Sequence, residues 1–503
     1  MAPRFGVDGR AETMRRKLFI PVLLASLLLT TGCAVGPNYK RPAAPKVPGY
    51  VPAPQSTTSS TPNVAGGEAQ QFIEGRDIAG EWWTLFHSKP LNDLVERCLK
   101  NNPDLKAAQA ALAVARENVL AQRGAYYPMV TGSFSADHSK SASEVSPFTA
   151  SGSLYYSLYT PQVGVSFVPD VFGLNRRTVE SLKAQEQQAR FALAATHITL
   201  TSNIVAGAIQ EASLRAQIDA TRQLIEINTN MLGILRKQFE KGYVGRLDVA
   251  AQESQLAQVT ATLPPLLKQL AQQRDLLVAL SGGLPNEELA ETFNLATLQL
   301  PQDLPLSLPS RLVEQRPDVR QAEENLHFAS AQIGVARANR LPSFSLTADL
   351  GTMTVIFTHM FAAGTGFWDV SGGATQTIFQ GGTLMHRERA ARAAYVQASE
   401  QYRSTVLTAF ENVADTLHAL DQDADGLKSA AAAADAAKVT LDLTTRQMQV
   451  GYVSYLTLLS AEQAYQQALI TLVQAQSNRY ADTAVLFQAL GGGWWNRPDV
   501  PKS

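Results

Sequence analysis

The chain has 503 residues, of which 45% are hydrophobic and only 17% charged, against roughly 25% charged in typical globular proteins. Lysine and arginine number 43 against 44 acids, a formal net charge of -1 that supplies no electrostatic footprint for nucleic acid. Two cysteines, Cys33 and Cys98, and seven histidines with no HExxH pair exclude a disulfide framework and the common zinc motifs.

The N-terminus reads as an export signal over residues 1–32. Arg15, Arg16 and Lys17 precede an apolar run from Leu18 to Leu29, too short to remain as a membrane helix. Met14, directly before Arg15, is a second candidate start. The run ends in Thr30-Thr31-Gly32-Cys33, which resembles a bacterial lipobox with Thr30 where leucine is usual. This predicts a covalent lipid on Cys33, and the alternative is an ordinary cleaved signal with an incidental cysteine. Ala34, not aspartate, follows the cysteine, and by resemblance to other lipoproteins this favours the outer membrane. Residues 33–67, rich in Pro, Ser, Thr and Gly, form the tether behind that anchor.

The body is an internal duplication with a period of roughly 210 residues. Asn102-Pro103-Asp104-Leu105 recurs as Arg316-Pro317-Asp318-Val319, Gly242-Tyr243-Val244 as Gly451-Tyr452-Val453, and Ala279-Leu280-Ser281-Gly282-Gly283 as Ala489-Leu490-Gly491-Gly492-Gly493. The copies are assigned to 68–283 and 308–493, with a Pro-rich connector over 284–307 and a tail over 494–503.

Each copy opens with alanine-rich helix, over 91–125 and 308–340, interrupted near its start by proline. Period-two segments follow. Val163, Val165 and Phe167 alternate with polar or small residues, Val130 and Phe134 show a weaker version, and Phe344, Leu346, Leu350, Trp368 and Val370 do the same in the second copy. The pattern predicts four strands in two hairpins, about 129–168 and 343–378. Heptad-like seams then run from about Arg176 to Lys241 and from about His386 to Val450. Each long helix meets a Gly-Tyr-Val turn and returns over 246–280 or 454–490, with Pro264-Pro265 expected to break the first return helix. Cys98 is expected to be a buried helical residue.

Such strands suit the outer layer of a soluble sheet, and they also suit a membrane barrel. Export favours the second use, because no mature segment reads as about 20 apolar residues and a bilayer accepts only helices and closed barrels. Four strands do not close a barrel, so several chains must share one. Tyr126, Tyr127, Tyr155, Tyr156, Tyr159, Phe367 and Trp368 then fit interfacial girdles.

The run Cys33-Ala34-Val35-Gly36-Pro37-Asn38-Tyr39-Lys40-Arg41-Pro42 resembles the mature start of NodT-type outer-membrane efflux lipoproteins of the TolC-like superfamily. Trp82-Trp83 with Phe86 and Leu91, Pro169-Asp170-Val171-Phe172-Gly173, Ile378-Phe379-Gln380-Gly381-Gly382 and Gly451-Tyr452-Val453 through Leu459 extend the resemblance over nearly the whole mature chain. It implies a mixed α and β membrane protein: a homotrimer with a 12-stranded barrel in outer-membrane lipid and a coiled-coil α-helical tunnel across the periplasm. It implies passive conduction for an inner-membrane efflux transporter and a periplasmic adaptor protein, with no cofactor beyond the lipid on Cys33. The transported compound stays open. A non-channel coiled-coil lipoprotein and an exported enzyme are the alternatives.

Two sites follow from the resemblance. The tips Gly242, Tyr243, Val244 and Gly451, Tyr452, Val453 are expected to meet the adaptor, and Leu456, Thr457 and Ser460, with Asp248 from the first copy, are expected to form the periplasmic gate. Thr457 and Ser460 stand where relatives carry aspartate rings, which predicts a gate that is apolar and hydroxyl-lined. Asp421, Asp423, Asp425 and Gly426 resemble the start of a calcium loop, but Ala432 occupies the position of its bidentate glutamate. No catalytic or metal site is predicted, and His197, His327, His386 and His418, which lie in predicted helices without metal-ligand partners nearby, are read as structural or surface residues.

Overall fold

The computed structural model describes residues 34–53, 56–140 and 155–497. The expected signal peptide and the lipidation candidate Cys33 lie outside the described residues. In chain order the elements are β1 (Gln71–Glu74), α1 (Lys89–Asn101), α2 (Pro103–Arg123), β2 (Met129–Lys140), β3 (Tyr155–Phe167), α3 (Leu174–Glu240), α4 (Arg246–Leu280), β4 (Asp303–Leu306), α5 (Pro309–Gln315), α6 (Pro317–Ala338), β5 (Ser343–Thr352), β6 (Gly366–Thr375), α7 (Thr383–Gln449) and α8 (Tyr455–Ala489). Helices α3 and α7 each have 67 residues, and α4 and α8 each have 35.

Local chemistry sets the helix boundaries. Ser88 caps α1 by accepting from the Leu91 amide, with Pro90 in the first turn. Asn102 and Arg316 each precede a proline, which pushes them to extended ψ values of 126° and 122° and separates α1 from α2 and α5 from α6. All four long helices end in a Schellman motif, a 6→1 bond paired with a 5→2 bond across a left-handed glycine. At the end of α3 Tyr243 N donates to Gln238 O and Gly242 N to Phe239 O, with Gly242 at φ +75°; at the end of α7 the same bonds run from Tyr452 to Gln447 and from Gly451 to Met448.

Pro264 and Pro265 do not break α4, contrary to the sequence expectation. The two prolines remove donors that would face the carbonyls of Thr260 and Ala261, and both of those residues are exposed, so water can bind them. The strand reading was also incomplete. The four expected strands form one antiparallel sheet in the order β2-β3-β5-β6, while β1 and β4 pair with each other in parallel. A stretch of α3 is long and apolar enough to cross a bilayer, which the residue count had not suggested, but 67% of it is buried within the protein, so its apolar face is used in packing. Asp421, Asp423 and Asp425 lie inside α7, where no calcium loop can form.

The chain divides into two compact units, the first from residues up to Arg41, Ala113–Gln187 and Glu323–Gln401. It contains the four-stranded sheet. The second comprises Pro42–Leu112, Gln188–Ala322 and Tyr402–Ser503. Its main core gathers Trp82, Phe86, Leu91, Ile204, Leu312 and Phe487, with Trp82 stacked on Phe487 at 5.1 Å. Cys98 is buried there on α1, and burial pushes its thiol up to about 12. A fully buried charge in this unit is paired: Glu211 accepts from Arg215, Arg274 and the Phe293 amide.

Candidate functional site

Strand alternation turns the sheet of the first unit into a two-faced layer. Directly paired residues share a face, and the pairs Val130↔Val165, Phe134↔Pro161, Val163↔Leu350, Leu350↔Trp368 and Ala348↔Val370 place the apolar side chains together. The opposite face carries Thr131, Ser133, Gln162, Ser166, Thr347, Asp349, Asp369 and Ser371. Thr347 and Ser371 hydrogen-bond across it at 2.7 Å. The apolar face is uncovered: Val130 is 65% exposed, Leu350 66%, Trp368 76% and Val370 69%. A soluble sheet turns such a face toward its core, and hydrocarbon is the surrounding that suits it when it stays uncovered.

At the helix turns of the second unit, Tyr243 is 77% exposed and Tyr452 85%. Glycine is needed before each, because Gly242 and Gly451 adopt positive φ without a neighbour near the missing Cβ. Beneath the turns Met231, Leu232 and Leu235 of α3 pack with Val249 of α4, Leu441 and Met448 of α7, and Tyr455, Leu458 and Ala461 of α8. Val244 and Val453 pack against this cluster from its rim. The two sets of tip residues are therefore brought together, tyrosines outward and valines inward.

The expected gate residues occupy the other face of α8. Leu456 is 57% exposed, and Thr457 and Ser460 are exposed beside it. Ser460 donates to the Leu456 carbonyl at 3.0 Å, and Thr457 meets Ser454 at 3.1 Å. Asp248 turns inward on its own helix, where its carboxylate accepts the Gly245 amide at 3.0 Å and closes the first turn of α4. A polar cluster backs this region: Tyr455 donates to Gln252, and Gln252 donates to Asn228 at 2.9 Å. Next to it Glu462 is 2% exposed, and neither carboxyl oxygen has a hydrogen-bond partner among the described residues. Burial raises Glu462 to about 7.

Sequence reasoning missed a clasp in the first unit. Arg177, at the start of α3, donates to the carbonyls of Val35 and Gly36, to Asn38 at 2.8 Å and to Glu180 at 2.6 Å. Tyr39 stacks on His327 with centroids 4.3 Å apart, and His327 lies between Glu180 and Glu324 at 3.3 and 3.2 Å. His327, read from the sequence as a structural or surface residue without metal-ligand partners, serves here as a structural one. Hydrogen bonds to Glu180 and then Glu324 raise its pKa to about 9, against an opposing effect of burial. Gly36 lies against Gly334 so closely that a Cβ would approach the latter's Cα to 2.5 Å. The Gly-Pro-Asn-Tyr run supplies one signal for this contact, but nothing local identifies Arg177 and His327 as its receivers.

A family model described as "Outer membrane efflux protein" matches residues 94–283 and 308–492. The toluene efflux pump outer membrane protein TtgC of Pseudomonas putida is 27% identical over 481 residues, covering 94% of this chain and 96% of that protein. The cation efflux system protein CusC of Escherichia coli is 27% identical over 469 residues, covering 93% and 97%. Among solved structures the outer-membrane channel OprN superposes with a TM-score of 0.81 at 25% identity, covering 92% of this chain and 100% of that one. The Campylobacter jejuni CmeC outer membrane channel gives the same fold with a TM-score of 0.81 at 23% identity, covering 93% and 97%.

Proposed function

Because the chain belongs to the outer membrane efflux protein family, we propose that three copies pool their four-stranded sheets into one 12-stranded barrel in the outer membrane. The protein is an outer-membrane efflux channel, of a family of channels rather than of enzymes. The observation that carries the shared barrel is the sheet itself, apolar and uncovered on one face, hydroxyl- and carboxylate-lined on the other, with β2 and β6 left as open edges. An open edge in lipid leaves backbone groups unpaired, and joining β2 of one copy to β6 of the next removes every edge. The polar face then lines the pore.

The long helices continue that pore into the periplasm, where the channel receives substrate passively from an inner-membrane efflux transporter through a periplasmic adaptor. The exposed Tyr243 and Tyr452, each held by a Schellman turn, are the surface offered to the adaptor. Leu456, Thr457 and Ser460 face away from the protomer's own packing and form the gate rings, while Asp248 is engaged in its helix cap. The lipobox-like Thr30-Thr31-Gly32-Cys33 supports a lipid on Cys33, and the segment that follows is fastened after β3, where Val35 N donates to Phe172 O at 3.1 Å. Toluene and cations name the cargo of two relatives, and the cargo here is taken to be set by the inner-membrane partner.

Single-channel recording in a planar bilayer tests this reading. Discrete conductance steps are the expected result; a purified, folded protein that never conducts supports the coiled-coil lipoprotein instead.

A further inference from the structure

Below the strands of the first unit, Glu388 of α7 gathers three arginines. Arg337 reaches it at 3.0 Å and Arg392 at 2.8 Å, and Arg340 completes the cluster. The carboxylate is 8% exposed, while Arg337, Arg340 and Arg392 remain 43%, 48% and 52% exposed. Hydrogen bonds from Arg392, Arg340 and Arg337, in that order, hold Glu388 down to about 2, so it stays ionised. One negative charge thus orients three positive ones and leaves two in excess.

Arg337 and Arg392 line a groove of about 540 Å³ together with Lys40 of the N-terminal segment. Ile333, Tyr395 and Val396 supply its apolar and aromatic walls, and no carboxylate lines it among the described residues. The groove therefore combines a cationic rim with an apolar wall. Its place along the chain matters as much: Arg340 lies three residues before β5 and Glu388 thirteen residues after β6, so the cluster follows directly on the ends of two strands of the sheet. A headgroup layer extends about 5–7 Å beyond the hydrocarbon.

We propose that this groove binds an anionic phospholipid of the periplasmic leaflet, its phosphate between Lys40, Arg337 and Arg392 and its first methylenes against Ile333 and Val396. The inference rests on the reading of β2, β3, β5 and β6 as membrane strands. Charge complementarity selects the headgroup, since two guanidiniums and an ammonium line the groove and the acid that the guanidiniums share, Glu388, is outnumbered by its three arginines. The apolar wall selects a lipid over a free anion. The chain's own acyl anchor is a poorer occupant, because Ala34 packs at the other end of the segment, against Gly173.

The test is native mass spectrometry of the delipidated full-length oligomer, titrated with phosphatidylglycerol, phosphatidylethanolamine or inorganic phosphate. Phosphatidylglycerol should be retained, phosphatidylethanolamine should bind several-fold more weakly, and inorganic phosphate should not displace the lipid. Lys40→Gln and Arg392→Gln should each weaken phosphatidylglycerol about fivefold, and Arg392→Lys should keep most of the affinity. Lys40 is exposed on the segment before the helices, so its variant tests the groove even if the arginine variants fold poorly. Equal binding of both lipids, unchanged affinity in Lys40→Gln and Arg392→Gln, or full displacement by phosphate would overturn the proposal. Failure of the wild type to insert into vesicles, with lipid binding intact in detergent, would instead count against the membrane strands.

Discussion

The side-chain amide of Asn102 donates to the carbonyl of Leu280 at 3.0 Å, tying the proline break between α1 and α2 to the end of α4. In the second half Arg316 donates to the carbonyl of Ala489 at 3.0 Å and is held by Asp318 at 2.7 Å. The recurring Asn-Pro-Asp-Leu and Arg-Pro-Asp-Val motifs thus do one job twice: a residue fixed in extended backbone by the following proline caps the terminus of a return helix. Asn102 also accepts from the Leu105 amide at 3.0 Å, so Asn102→Ala removes two bonds. The expected loss is about 1–3 kcal/mol, read as a lower urea midpoint. A variant as stable as wild type would show that water replaces the cap.

The His327 contact makes the N-terminal segment sensitive to alkaline pH. Its pKa is about 9 in the folded protein and about 6.5 when unfolded. The stabilisation is therefore full below about pH 6.5 and is lost as pH rises through about 9. Glu180 and Glu324 are the carboxylates that face the ring, and Arg177 reaches it through Glu180. Trypsin cleavage at Lys40, normalised to an unstructured peptide at each pH, should quicken from pH 7 to 9.5 in wild type. His327→Phe should cleave at one normalised rate throughout, and a pH-independent wild type would contradict the assignment.

Glu462 also loses stability as pH rises, but at lower pH and because burial favours its neutral form. A buried carboxyl at about 7, against about 4.3 unfolded, favours the folded state least when ionised, so stability falls as pH rises from about 4.3 through about 7. Glu462→Gln should melt higher than wild type at pH 8 and equal it near pH 4. Melting below wild type at pH 8 would mean that the carboxylate has a stabilising partner in the assembled protein.

The hydroxyl-lined gate predicts weak block by multivalent cations, since rings of serine and threonine attract a cation far less than rings of carboxylates. A trivalent cation added from the periplasmic side should block wild-type channels poorly and Ser460→Asp channels strongly. Tight block of wild type that persists in Asp248→Asn would require an acidic ring elsewhere.

Much of the fold was legible because its signals are local. Alternation at Val163, Val165, Leu346 and Leu350 is a property of a few adjacent residues, and the four strands of the sheet followed from it. Strands β1 and β4 did not, for each has four residues, one contains Pro305, and their pairing depends on residues more than 200 positions away. Pro264-Pro265 misled because proline's missing donor matters only where its carbonyl partner is dry. The Glu388 cluster and the Arg177 clasp join segments distant in sequence, and a single arginine on a helix reads as surface charge until its partner is known.

The shared barrel is the central claim, and disulfide scanning between its open edges tests it most directly. Single cysteines placed along β2, from Thr131 to Ala136, and along β6, from Val370 to Gly373, should give no bonds alone and bonds between chains when paired across the two strands in the right register. On a non-reducing gel the account predicts covalent dimers and trimers, ending at three chains. Cross-links confined to one chain, or a folded membrane-inserted protein that never links β2 to β6, would contradict it.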